Sequence, residues 1–172
     1  MSARNQDRFQ VRFDWGLDGA AAVGAGAHVL VWADALPTPG APVAPLDHAG
    51  VIAATVGSRA AVAQWILDRQ ADLGDRLMIA VVAAGTDDGR FCVEDLLAAG
   101  AVIDALGALG IDATSPEAAA AGSAFAGLSN AAQHLLSASV TGREIGAEAV
   151  AAAKPANLAT EARILKEFSL PS

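Results

Sequence analysis

The sequence predicts an α/β sandwich, a largely parallel sheet with helices on both faces, and three observations carry that prediction. Residues 28–33 (HVLVWA), 50–55 (GVIAAT) and 77–84 (LMIAVVAA) are short and almost continuously apolar, the pattern of central strands covered on both sides. Helical segments separate them, so strand and helix alternate through the first hundred residues. Of the 172 residues, 53% are hydrophobic and only 17% charged, enough material for one buried core. The chain 1–172 therefore reads as a single domain.

Each element has its own signal. Residues 9–15 (FQVRFDW) alternate apolar and polar side chains, as a strand with one wet face at a sheet edge does. A short Ala-rich helix follows at 17–23. Residues 58–71 form the next helix, in which Val62, Trp65 and Ile66 recur at helical spacing and Ser58 caps the first turn. From Val93 onward the chain is mostly helical. One helix spans 94–109 and is closed by Gly110; a second starts at Ser115-Pro116-Glu117, an N-cap serine followed by proline at the first helical position. Ala-rich helical pieces continue to Ala153, and residues 162–165 form a last strand. Residues 36–49 carry four prolines in the run LPTPGAPVAP and read as a surface loop.

Charge and cysteine content remove several classes of function. A net charge of −8 opposes non-specific attraction to nucleic acid and to anionic membrane surfaces. No apolar run reaches the roughly 20 residues of a membrane span, and the polar segment 1–12 does not have the form of a signal peptide. The lone Cys92 can form no internal disulfide, and a cytoplasmic protein is expected. His28, His48 and His134 are scattered without metal-ligand spacing and are expected to be structural or exposed.

Ligands of open α/β sheets sit beyond the carboxyl ends of the parallel strands. The polar residues that follow the apolar runs are Asp34, then Thr55, Gly57 and Ser58, then Gly85-Thr86-Asp87-Asp88. With the three strands adjacent, these groups form one oxygen-rich rim, and Glu94-Asp95 opens the helix beside it. A hard cation such as magnesium takes oxygen ligands of this kind. Each group also has a structural explanation: Asp34 as a strand terminator, Ser58 as an N-cap, Asp87-Asp88-Gly89 as a solvated turn, and Glu94 with Asp95 as partners of the helix dipole. The common nucleotide-binding, zinc-protease and serine-hydrolase motifs are absent.

Several segments together resemble the 2-phosphosulfolactate phosphatase (ComB) family. VRFDWGLDGAAAV with HVLVWADAL is similar to its N-terminal strand, helix and second strand end, and AVAQWIL to a helix behind its G-S-x-x-N segment. The run AVVAAGTDDGRFCVEDLLAAGAVIDAL is the most specific match, and SPEAAAA and TGREIGAEAVAAA also fit. The resemblance implies a three-layer α/β/α sandwich with a mostly parallel or mixed sheet, and a magnesium-dependent hydrolysis of 2-phosphosulfolactate to sulfolactate and phosphate, a step of coenzyme M biosynthesis. Asp34 matches the family's strand-end aspartate, Gly85 its glycine turn, and Glu94 with Asp95 its acidic pair.

Departures from the family pattern bear on that expectation. Pro37 stands at the family's arginine position, the G-S-x-x-N segment becomes Ala54-Thr55-Val56-Gly57-Ser58, and the loop at 36–49 replaces a strand and its T-x-N-G-T loop. The resemblance thus implies Asp34, Glu94 and Asp95 as catalytic residues, with Asp34 and Glu94 holding Mg2+. Thr55, Ser58, Arg59, Gly85 and Arg90 are the expected contacts of a small anionic substrate, with Arg143 a further cation. The alternative is a catalytically degenerate relative that binds a small anion or serves as an oligomeric subunit. A homodimer is expected from the sheet edges that the missing strand leaves to be covered.

Overall fold

A computed structural model describes residues 3–37, 43, 46–86 and 90–169. Among them lies one sheet of five strands, β1 (Val11–Trp15), β2 (Val29–Ala33), β3 (Gly50–Ala54), β4 (Ile79–Ala83) and β5 (Arg163–Lys166), in the order β1-β4-β2-β3-β5. The first four run parallel, and β5 lies antiparallel along β3. The apolar runs account for this order: every residue of β2 and β4 is buried, as strands in the middle of a covered parallel sheet must be. The edge of β3 is taken up by β5.

The helices are α1 (Gly16–Val23), α2 (Arg59–Leu73), α3 (Val93–Ala108), α4 (Pro116–Leu128), α5 (Ala132–Ala138), α6 (Val140–Ile145) and α7 (Ala147–Leu158). Alternate side chains of a strand face opposite ways, and the two faces meet different partners. Val31, Ile52, Ile79 and Val81 pack with Val62 and Ile66 of α2, Val102 of α3 and Ala118 of α4. Leu30, Trp32, Ala80 and Val82 meet Ala20 and Val23 of α1 on the other face. The architecture is therefore α/β with helices on both faces, three helices opposing one. Ser115 starts α4 as its sequence indicates, accepting a hydrogen bond from the Ala118 N–H at 3.0 Å.

Two local expectations are corrected. The polar side of β1 is not wet: Gln10 and Arg12 are buried. Arg12 lies beneath α1, and its guanidinium donates to the carbonyls of Val23 and Ala25 at the end of that helix, where unpaired carbonyls and the dipole favour a cation. Ser58 does not cap α2. It is itself in the helical region, φ −81° and ψ −3°, so its hydroxyl turns back and accepts from the Thr55 N–H at 3.0 Å.

The third group of helices stands at the carboxyl end of the sheet. Ala35 and Leu36, just past β2, pack against Leu136 of α5 and Val150 and Ala153 of α7. Leu36 at the start of the proline-rich segment is buried, and Leu46 near its end packs against the α1 side of the core. Residues 38–42, 44 and 45 of that segment lie outside the described residues.

Candidate functional site

Because β4, β2 and β3 are neighbours, their carboxyl ends share one rim, and Gly85, Asp34 and Thr55 follow one another along it. Asp87, Asp88 and Gly89 lie outside the described residues. Gly85 has φ +68°, a left-handed conformation that glycine adopts without the cost a side chain would add, and this turns the chain away from β4. The turn is then closed by Thr86 and Arg90: the Arg90 N–H donates to the Thr86 hydroxyl at 2.8 Å and the Thr86 N–H to the Arg90 carbonyl at 3.1 Å.

Asp95, in the first turn of α3, ties this rim together. One carboxylate oxygen accepts from the Ala35 N–H at 2.8 Å and the other from the Gly85 N–H at 2.9 Å, so a single side chain joins the ends of adjacent strands β2 and β4. It is only 3% exposed. Burial, and next the negative charge of Asp34, push its carboxyl well above the usual carboxylate range. The charge of Glu94 adds to the rise, and the two N–H donors oppose it. Asp95 thus stands within electrostatic reach of both Asp34 and Glu94 and is hydrogen-bonded to Gly85.

Glu94 is the exceptional member of this group. It is 3% exposed, and both of its carboxylate oxygens are buried with no hydrogen-bond partner among the described residues. An ionised carboxylate out of water and without a partner costs several kcal/mol (about 3 or more), and almost every buried polar group in a folded protein is satisfied. The N-terminal end of α3 offers it a favourable dipole but no bonded donor. Cys92, which precedes α3, is buried beside the Thr141 hydroxyl at 3.3 Å, and burial pushes its thiol up to about 11, so it is no nucleophile at neutral pH.

The end of β3 is built differently. The Thr55 hydroxyl donates to the Ala156 carbonyl at 3.3 Å, and the Gly57 N–H donates to the Asn157 carbonyl at 3.1 Å. A Cβ on Gly57 would lie 2.6 Å from the carbonyl oxygens of both Asn157 and Ala159, so only glycine admits the last turn of α7 at this distance. Arg59 donates to the Val56 carbonyl at 2.7 Å and stacks over Phe125. Arg90 pairs with Glu144 at 2.8 Å, both side chains well exposed. Thr55, Ser58, Arg59 and Arg90 therefore all have partners within the protein. Their side chains are not seen to converge on the carboxylates.

One residue here carries no motif signal in the sequence. Asn157, 2% exposed in the last turn of α7, donates from its side-chain amide to the Ala35 carbonyl at 2.6 Å and to the Ala153 carbonyl at 3.1 Å. The histidines are placed as expected: His28 accepts from the Met78 N–H, His48 bonds the Gly24 carbonyl, and His134 is exposed.

Among the described residues no group of three or more His, Cys, Asp or Glu side chains is gathered tightly enough to hold a metal ion. Magnesium asks for less, since it keeps several waters and is bound through one or two carboxylates together with substrate phosphate oxygens. The two oxygens of Glu94, buried and without a hydrogen-bond partner among the described residues, are a carboxylate of the kind that requirement names.

Among the described residues no helix is long and apolar enough to cross a membrane. No curated protein matches the chain. A family model, that of 2-phosphosulpholactate phosphatase, matches residues 46–156. The matched segment spans well over half of the chain and contains Thr55, Gly85, Glu94 and Asp95, while Asp34 lies before it.

Proposed function

The chain belongs to the 2-phosphosulpholactate phosphatase family, and from that premise we propose that it hydrolyses the phosphomonoester of a small acid such as 2-phosphosulfolactate, giving sulfolactate and phosphate, with magnesium bound at the rim. The observation that carries the reading is the buried carboxylate of Glu94, without a partner among the described residues, lying inside the matched segment and next to Asp95, on which Asp34 also acts. Family membership supports a phosphorylated small acid as substrate; magnesium, the particular acid and a homodimer are parts of the proposal.

In this reading Glu94 and Asp34 hold the ion. When bound, magnesium neutralises charge on the phosphoryl oxygens and makes a water more acidic. Asp95 is a supporting group: with both oxygens occupied by backbone N–H donors, it fixes the loop that carries Asp34 against the turn at Gly85. Arg90 meets an anionic group of the substrate. Its exposed pairing with Glu144 is worth at most about 1 kcal/mol, which a phosphate or sulfonate can displace by bidentate bonding. The Thr55 hydroxyl reaches a substrate only when the last turn of α7 moves aside, and Arg59 only by giving up the Val56 carbonyl.

Phosphate release by the purified protein from 2-phosphosulfolactate and a panel of phosphomonoesters, with magnesium, tests the reading. Turnover is expected, and none above a metal-free control would end it. The second reading, a non-catalytic binder of small anions, is favoured by one observation: the hydroxyl of Thr55 and the N–H of Gly57 are already taken by α7 carbonyls. It predicts thermal stabilisation by the phosphorylated acid without product formation.

A further inference from the structure

We propose that Asn157 is a positioning residue for the acidic rim, acting through Ala35; the proposal rests on the phosphatase reading and names a part of the same site. Ala35 is held at both ends. Its N–H donates to Asp95 at 2.8 Å, and its carbonyl accepts from the Asn157 amide at 2.6 Å. These two bonds clamp the peptide planes on either side of the residue that follows Asp34, and so set the direction in which Asp34 leaves β2.

The Asn157 side chain has little freedom of its own. It is 2% exposed, and the second N–H of its amide is spent on the Ala153 carbonyl one turn back. Its main-chain carbonyl receives the Gly57 N–H at 3.1 Å, so one residue of α7 holds the loops behind both β2 and β3. Asparagine is a poor helix former, and its place in an Ala-rich helix is explained by these bonds and not by propensity. It stands just past the matched segment 46–156, so the family match assigns it nothing.

The experiment compares Asn157→Ala with Val150→Ala, which trims the contact of α7 with Leu36 and leaves the Ala35 carbonyl its partner. Three quantities are read on each: magnesium affinity by calorimetric titration, kcat separately from KM on 2-phosphosulfolactate, and the backbone amide resonances of Ala35 and Gly85. Asn157→Ala is expected to weaken magnesium binding and lower kcat by about tenfold each and to shift the Ala35 amide, whereas Val150→Ala leaves affinity and kcat within about twofold. Equal losses in the two variants, or a change in Asn157→Ala confined to the thermal midpoint, would overturn the proposal. Should Asn157→Ala not fold, Asn157→Ser takes its place with the same expected direction. A wild-type protein that neither turns over substrate nor binds magnesium sinks the phosphatase reading instead, and the Ala35 amide then still decides Asn157: an unmoved resonance rejects its clamp.

Discussion

The ends of β2 and β4 and the end of β3 lie side by side on one rim and are closed by opposite means. At β2 and β4 the closing group is a buried carboxylate, Asp95, next to a second one, Glu94, that has no hydrogen-bond partner among the described residues. At β3 the closing groups are neutral: a hydroxyl, a backbone N–H and the carbonyls of α7. The first arrangement costs stability, because carboxyl groups are taken out of water without full compensation. The second costs nothing comparable, because each polar group finds a partner. On the proposed reading, the difference separates a chemical part of the rim, at β2 and β4, from a structural part at β3.

The sharpest way to break this comparison is Glu94→Gln. Phosphate release should fall by about 100-fold or more, while the thermal midpoint stays at or above that of the wild type, since no hydrogen bond among the described residues depends on the carboxyl group. A variant that is both active and less stable would make Glu94 an ordinary structural acid. Asp95→Ala comes next, because it strands two buried N–H donors; urea denaturation should show a loss of about 2–4 kcal/mol.

The pH dependence of Asp95 has a definite sign. Its folded carboxyl titrates above the unfolded one, so the native state binds the proton more tightly, and stability falls as pH rises from the unfolded value toward the folded one. With EDTA present, the wild type should therefore lose stability relative to Asp95→Asn as pH is raised from about 4; a difference that does not vary with pH would refute the shift. At β3, Thr55→Val should cost only about 1 kcal/mol and leave KM unchanged, and a tenfold or larger rise in KM would move Thr55 into the chemical part. The smallest effect is at Cys92: a buried thiol held near 11 should react with a disulfide reagent at pH 8 only after denaturation.

What could be read in the sequence follows the range of the interactions involved. Central strands show themselves locally, since residues covered on both faces must be apolar one after another, and β2, β3 and β4 lie within a residue or two of the apolar runs. That Asp34 and Gly85 follow strand ends and that Glu94-Asp95 open a helix is legible in the sequence because strand ends and helix starts are local features too. The alternation in β1 gave the right edge strand and the wrong solvent, because burial of Arg12 depends on carbonyls at Val23 and Ala25 that no period of two reveals. Ser58 has the composition of a cap, yet its own helical dihedrals turn it away. Asn157 was beyond reach: its role comes from meeting Ala35 across 122 positions of chain.

The most direct test of the central claim, that Glu94 is a carboxylate kept unpaired for a cation, is a magnesium titration of the wild type and Glu94→Gln by calorimetry. One ion should bind the wild type, and the variant should bind it at least about tenfold more weakly. Equal affinities, or no binding to either protein, would contradict the account.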